Sequence, residues 1–473
     1  MSETHRASGA AELPPRFVQA LQAALGADNL LTDPADRWPY GQDNSRQHVQ
    51  PGAVAIITTH DQVVQAVRLC NEFAVPIVGR GRGTGTTGSA LPAEGGLVLA
   101  FERMDRVLEM DPANRMIRVE AGVTNQTVQD EAARHGFFWA PDPTSAAYST
   151  VAGNIALNAG GPRSVKYGAT RENVLALTAV TGSGATIHTG SNTTKNSTGY
   201  DLTRLLIGSE GTLALVTAAT LKLTPLPEAR RTFQAVYRDI RAATAAVAAI
   251  MAQPAMPCAL EFIDRASIEM IRKYSRAALP RDAGAVLIIE VDGQEAAMDS
   301  MTAAIAKAAR NDGLVEFVAA RTNEETEALW TTRKALSPAL RTIAPNKLNE
   351  DVVVPVSRIP DLIDGLERLA HEYGIPIVNF GHAGNGNLHV NLLYDTQDPH
   401  QAAAALPCLT RVFGLVIALG GTLSGEHGIG VAKRDFIASA IDAPTLALMR
   451  AIKREFDPRG LLNPGKIFPP VAA

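Results

Sequence analysis

Apolar positions early in the chain switch between two periods. In residues 16–25 (RFVQALQAAL), Phe17, Leu21 and Leu25 recur every fourth residue and Gly26 follows, which predicts a short amphipathic helix with a glycine stop. Residues 53–57 (AVAII) are continuously apolar and predict a strand. Residues 61–73 put Val63, Val67 and Cys70 on one helical stripe, and residues 75–78 are strand-like again. This predicts a compact βαβ unit, followed by the loop GRGRGTGTTGSALPAEGG and the strand LVLAF.

Between residues 116 and 223 the pattern changes. Short apolar runs (MIRVEAG, LALTAV, LALVTAATLKL) alternate with loops rich in glycine, serine, threonine and asparagine, which predicts a more strand-rich α+β layer. Pro225 and Pro227 punctuate its end and predict a domain boundary. From residue 232 to about 440, runs such as VLIIEV, DVVVPV, PIVNF and LHVNLLY alternate with alanine-rich helical stretches. The last segment, FDPRGLLNPGKIFPP, is turn-rich and reads as a tail that docks on another surface. The expected organisation is therefore 1–227, 228–440 and a returning segment 441–473.

Composition narrows the class. The chain has 473 residues, 46% hydrophobic and 19% charged, with a formal net charge of -4. That balance is globular, and its mild acidity argues against nucleic acid as the main partner. The N-terminus lacks a basic stretch followed by an apolar one, so no secretory signal is expected. The most apolar helical candidate, residues 242–251, is too short for a transmembrane segment. Cys70, Cys258 and Cys408 are far apart, form no CxxC, and read as buried packing residues in a reducing, cytoplasmic setting.

The loop at 79–88 formally satisfies G-x-G-x-x-G through Gly83, Gly85 and Gly88. A dinucleotide fingerprint needs a helix opening at the loop, and Pro92 with Gly95 and Gly96 leaves no room for one. The physics survives without the fingerprint. Successive glycines allow close backbone approach, their N–H groups can form an anion nest, and Arg80, Arg82, Thr84, Thr86 and Thr87 add donors. A second run, residues 141–168, is long in small residues, so a flat cofactor could lie against its backbone; Asn154, Asn158, Gly160 and Gly161 suit a polar ring edge.

Further on, His382 and His389 bracket GHAGNGNLH, and Glu426 and His427 adjoin in SGEHGIG. Imidazoles and a carboxylate are ligands for first-row divalent metals, and Gly384 and Gly386 let the turn fold both rings toward one point. His389 and Asn391 share one face of a strand. Arg333, on a predicted helix, is of the type that binds a carboxylate in two-pronged fashion, and Lys347 follows fourteen residues on.

The ordered motifs PIVGRGRGTGTTGSA, PDPTSAAYSTVAGNIALNAGG, VKYGATRENVLALTAV and DLTRLLIGSEGTLALVTAATLKL resemble the FAD-binding domain of vanillyl-alcohol-oxidase-type flavoenzymes. FGHAGNGNLHVN, SGEHGIG and LLNPGKI narrow the resemblance to the branch of D-lactate, glycolate and D-2-hydroxyglutarate dehydrogenases. It runs from about Trp38 to Ile467. It implies an α+β protein: a FAD-binding domain of two α+β subdomains, and an α+β substrate or cap domain carrying a metal site.

The resemblance also implies roles. Arg80, Gly81, Gly83, Thr84, Gly85, Thr86, Thr87 and Gly88 would cover the FAD pyrophosphate. Pro141, Thr144, Ser145, Thr150, Gly153, Asn154, Gly160 and Gly161 would line the flavin, Glu210 and Gly211 the adenosine part, and Asn463 the ring. No histidine stands between Val75 and Leu91, so the FAD is expected to be non-covalent. His382, His389 and Glu426 would hold a divalent metal, usually zinc, with His427 as the base. Asn385 replaces an aspartate common in relatives, which leaves metal identity open. The W-x-x-R pattern, Trp330 to Arg333, matches the family's carboxylate anchor, with Lys347 beside it, and Asn391 would orient the hydroxyl.

The expected reaction is hydride transfer from a D-2-hydroxy acid to flavin N5, with D-lactate favoured by the YGQDNSR segment near Tyr40. A D-2-hydroxyglutarate dehydrogenase and the FAD subunit of a glycolate oxidase complex are the alternatives within the branch. A metal-free flavin oxidase is the alternative outside it. Electrons would pass to a quinone, an electron-transfer flavoprotein or a cytochrome. Peripheral attachment at the inner membrane and a homodimer stand as further expectations.

Overall fold

The computed structural model describes residues 13–274 and 280–469. The stretch read for a secretory signal, residues 1–12, lies outside the described residues. The chain forms two units: residues 1–160, 169–226 and 426–473 make the first, and 161–168 with 227–425 the second. The boundary after Leu226 coincides with the proline-punctuated break, whereas the return to the first unit comes at Glu426 and not at 441.

The first unit holds two principal sheets. One orders its strands β1-β2-β4-β3 (β1 Leu30–Leu31, β2 Ala53–Ile56, β3 Ile77–Arg80, β4 Leu97–Ala100), with β2, β4 and β3 parallel. Every residue of β2 and β4 is buried, as a parallel strand covered on both faces requires. The helix His60–Phe73 joins β2 to β3. Its N-cap Thr59 accepts from the Gln62 N–H at 3.3 Å, and its Val63, Ala66, Val67 and Cys70 are buried. Strand β3 is the sheet edge, and the C-terminal tail covers it: the Asn463 N–H donates to Ile77 O at 2.7 Å and the Ile77 N–H to Leu461 O at 2.8 Å. The tail segment around Leu461–Asn463 thus docks on the edge of this sheet.

The second sheet of this unit is antiparallel, ordered β5-β6-β10-β8-β9 (β5 Val107–Asp111, β6 Met116–Glu120, β8 Val174–Thr181, β9 Thr186–Gly190, β10 Ala214–Lys222). A two-stranded ribbon pairs β7 (Phe137–Phe138) with β11 (Thr224–Pro225). Trp139, wholly buried, packs with Ile117, Val119, Val151 and Ile155 in its core.

The second unit is one seven-stranded antiparallel sheet, ordered β15-β12-β14-β13-β17-β18-β16 (β12 Ala229–Tyr237, β13 Ala259–Asp264, β14 Ala285–Gly293, β15 Leu314–Ala319, β16 Asn346–Val353, β17 Ile377–His382, β18 Asn387–Tyr394). Directly opposed residues in antiparallel pairs share a face. The register therefore puts Lys347, Asn349 and Asp351 on the same face as His389 and Asn391, then Phe380 and His382, then Glu261, then Glu290 and Asp292. The helix Asn323–Ala339 belongs to this face, where Leu336 packs with Ile263, Val378 and Phe380.

One helix departs from the reading of apolar segments. Pro399–Ala418 has 20 residues and by length and composition alone could cross a membrane, so residues 242–251 are not the only apolar candidate. It buries Cys408, Leu409, Val412, Phe413 and Val416 within the second unit. All three cysteines are buried, and each stands free of a disulfide.

Candidate active site

The glycine loop after β3 opens no helix, and neighbouring backbone holds it instead. Asn44 donates its N–H to Gly85 O at 2.9 Å and its Nδ2 to Thr84 O at 3.2 Å. Gly81 has no room for a side chain: a Cβ there would lie 2.3 Å from Thr150 Oγ1. Thr150 itself caps the helix Val151–Leu157 by accepting from the Gly153 N–H at 3.1 Å. Thus the glycine loop and the small-residue run meet closely. Thr86 Oγ1, Ser149 Oγ, Asn154 Nδ2 and Asn463 Oδ1 are buried with no hydrogen-bond partner among the described residues. Buried polar atoms left over in this way are suited to a polar ligand, and together with side-chain-free backbone they fit a flavin nucleotide.

Several residues expected to touch FAD are otherwise engaged. Arg80 is buried and donates Nη1 to Gln42 O at 2.6 Å and Nη2 to Pro39 O at 3.2 Å, so its guanidinium ties the loop to an upstream turn. Glu210, read as an adenosine contact, accepts at Oε1 from the Ile429 N–H (2.7 Å) and at Oε2 from the Gly430 N–H (2.9 Å). Burial pushes its carboxyl up, against these bonds. Thr87 donates to His427 O at 3.1 Å, and its own carbonyl accepts from Val431 and Ala432. Asn463 gives Nδ2 to Ser89 O at 2.9 Å and Glu210 O at 2.6 Å. These bonds fix residues 427–432 of the first unit against the loop at 87–89. Pro141 O accepts from Asn125 Nδ2, Thr144 is exposed, and Gly161 belongs with the second unit.

In the second unit the histidines stand on adjacent strands, with ring centroids 5.3 Å apart and nearly perpendicular. His382 is 7% exposed, and its Nδ1 is 2.5 Å from Glu261 Oε1. Glu261 is wholly buried, and its Oε2 accepts from Arg333 Nε at 2.7 Å. Burial opposes ionisation of Glu261, but the facing His382 and Arg333 hold its carboxyl below the usual range. Glu426 is peptide-bonded to Gly425, the residue at which the second unit ends; the Gly425 N–H donates to Asp351 Oδ2 at 2.9 Å. Ligand atoms of His382, His389 and Glu426 lie within 4.8 Å of one another. His427 Nε2 is 4.0 Å from Glu426 Oε1. Two imidazoles and a carboxylate at this spacing form a donor set for a divalent ion, with His382 already oriented by a carboxylate behind it.

The helix Asn323–Ala339 presents Trp330 and Arg333 to the same sheet face. Trp330 Nε1 donates to Glu290 Oε2 at 3.1 Å, and the Arg333 guanidinium lies 4.9 Å from the Phe380 ring centroid. With Nε taken by Glu261, the Nη atoms of Arg333 are the ones available to an anion. Lys347 Nζ is 3.2 Å from Ser337 Oγ. Asn391 has both amide hydrogens committed, to Val378 O and His389 O, and its Oδ1 accepts from Asn349; it is fully buried. Its amide hydrogens are thus spent on the backbone carbonyls of β17 and β18.

Sequence reasoning missed Glu261, Glu290 and Asp292. Asp292, 1% exposed, is 2.5 Å from Lys166 Nζ and 2.9 Å from Tyr167 Oη. The available signal was an acid inside an apolar strand run, CALEFID and VLIIEVDG.

Residues 51–190 match the FAD binding domain model, and residues 226–467 match that of the FAD linked oxidases, C-terminal domain. The chain belongs to the FAD-linked oxidase family. Among curated relatives, the Bacillus subtilis glycolate oxidase subunit GlcD is 38% identical, over 94% of each chain. A D-lactate dehydrogenase of Archaeoglobus fulgidus is 36% identical over 86% of this chain and 89% of its own. A D-2-hydroxyglutarate dehydrogenase of Xanthomonas citri pv. viticola is 34% identical over 96% and 97%. The structure of p-cresol methylhydroxylase matches with a TM-score of 0.79 at 20% identity, covering 96% of both chains, which establishes the α+β vanillyl-alcohol-oxidase-type fold.

Proposed function

We propose that this FAD-linked oxidoreductase oxidises a D-2-hydroxy acid to the 2-keto acid, with D-lactate the favoured substrate. The observation that carries this reading is the ligand set His382, His389 and Glu426, with Arg333 held to the sheet face that bears the two histidines. Relatives named for glycolate, D-lactate and D-2-hydroxyglutarate support the substrate class and divide on its member. The Nη atoms of Arg333, with Lys347, bind the substrate carboxylate in two-pronged fashion. His427 takes the proton from the α-hydroxyl oxygen through a ring nitrogen lone pair. FAD, when bound, would supply the acceptor for the hydride of Cα, and His382, His389 and Glu426 would hold a divalent ion, zinc by the donor set, whose charge would favour loss of the hydroxyl proton. Electrons then leave for a quinone, an electron-transfer flavoprotein or a cytochrome.

The test is anaerobic mixing of the purified protein with D-lactate, L-lactate, glycolate and D-2-hydroxyglutarate while the flavin absorbance is followed. Bleaching by D-lactate that a chelator abolishes is the expected result. Bleaching by D-2-hydroxyglutarate or glycolate alone moves the substrate within the class. A flavin band that no hydroxy acid bleaches sinks the assigned reaction.

A further inference from the structure

We infer that Glu261 is a positioning residue that selects the metal-competent tautomer of His382 and fixes Arg333 with its other oxygen. The inference deepens the reading above and rests on it. Glu261 lies in the middle of β13, directly opposite His382 on β17 in the ladder. Its two oxygens serve two partners: Oε1 meets His382 Nδ1 at 2.5 Å, and Oε2 meets Arg333 Nε at 2.7 Å. A buried carboxylate can only accept, so the proton of a neutral His382 sits on Nδ1 and Nε2 keeps its lone pair for a metal. The same carboxylate holds the guanidinium by Nε, which leaves the two Nη atoms as the carboxylate-binding fork. One wholly buried side chain thus sets the orientation of a metal ligand and of the anion anchor, through partners 121 and 72 residues away in sequence.

Glu261→Gln separates this role from simple packing. The amide keeps the shape, and its oxygen can still accept from Arg333. Its NH₂ then faces His382 Nδ1, which must accept, and the histidine proton moves to Nε2, where it blocks the ligand lone pair. In the FAD-loaded protein, stripped of metal and titrated with zinc against a chromophoric chelator, zinc affinity should fall about 10–100-fold while flavin content and spectrum stay as in the wild type. At saturating zinc the variant's KM for the hydroxy acid should remain raised, because Arg333 has lost a charged partner. Zinc affinity within twofold of wild type, or a wild-type KM at saturating zinc, overturns the corresponding half of the role.

A second measurement needs no variant at 261. In the zinc-free wild type, histidine-selective ¹⁵N NMR, with the His382 signals identified by their loss in His382→Gln, should show Nδ1 protonated. Protonation at Nε2 instead overturns the inference. Wild-type protein that takes up no zinc at all brings down the metal reading itself, an outcome distinct from tight zinc binding by both wild type and Glu261→Gln, which removes only the role of Glu261.

Discussion

The cofactor cradle of the first unit and the sheet face of the second solve different problems with opposite materials. The cradle is made of what is missing: Gly81 has no side chain because Thr150 occupies its place, and Thr86, Asn154 and Asn463 bury polar atoms that no group among the described residues satisfies. The sheet face is made of charge and is well paired. Glu261 meets His382 and Arg333, Asp292 meets Lys166 and Tyr167, and Glu290 meets Trp330 and Thr232. Neutral unsatisfied atoms next to bare backbone suit a large ligand that is always present. Buried charges cannot be left waiting, because an unpaired one costs several kcal/mol, so the face pairs them and leaves specific atoms free.

The widest separation between the two regions should come from His382→Ala. Loss of one imidazole removes a member of the proposed ligand set while the first unit keeps every contact described for the glycine loop. Substrate-driven flavin bleaching in stopped flow should slow roughly a thousandfold, the equivalent of several kcal/mol of lost charge stabilisation. The flavin content per chain should not change. A variant that loses flavin together with activity would show that the two regions cannot be treated separately.

A smaller effect sharpens the contrast within the second unit. Asp264 lies three residues after Glu261 on β13 and so points to the opposite face. It accepts from the Ser267 N–H at 2.7 Å and from Asn379 at 2.8 and 3.0 Å, and burial pushes its carboxyl up to about 6. A carboxyl raised in the folded state stabilises below its unfolded value, near 3.9, and that contribution is lost as pH rises through about 6. About two units amount to about 3 kcal/mol. Relative to wild type, Asp264→Asn should therefore gain about 3 kcal/mol in urea unfolding between pH 4 and pH 7. A difference that is flat across that window would mean that Asp264 ionises freely.

Legibility in the sequence follows the same division. The cradle could be read because its parts are contiguous: glycines at 81–88 and small residues at 141–161 announce themselves by composition. His382 and His389 could be read because one turn carries both. Glu261 could not, since its partners are 121 and 72 residues away and only strand register brings them together. The anchoring of Arg80 was illegible for the same reason: the carbonyls that hold it belong to Pro39 and Gln42, about forty residues upstream. Asn391 was placed on the correct face, but its neighbours, and not its position, decide what its amide is free to do. The helix Pro399–Ala418 escaped notice because Pro407 lies inside it, and an internal proline reads as a break.

The smallest of the expected effects tests the cradle itself. A Cβ at Gly81 would sit 2.3 Å from Thr150 Oγ1, so Gly81→Ala must move Thr150 or the loop. Moving Thr150 also loosens the cap on the helix Val151–Leu157. Overpacking and a weakened cap each cost about 1–2 kcal/mol, and a net loss of about 2 kcal/mol felt at the ligand weakens FAD binding about thirtyfold. Gly95→Ala supplies the control. Gly95 follows the same loop at φ +72° with nothing within 4 Å of a Cβ, so the substitution strains the backbone without filling the cradle. Fluorescence titration of flavin-stripped protein with FAD should find Gly81→Ala weak and Gly95→Ala close to wild type. Equal affinity in the two variants would mean that the close approach of Gly81 to Thr150 serves the fold alone, and that the small residues of the first unit are packing without a ligand's imprint.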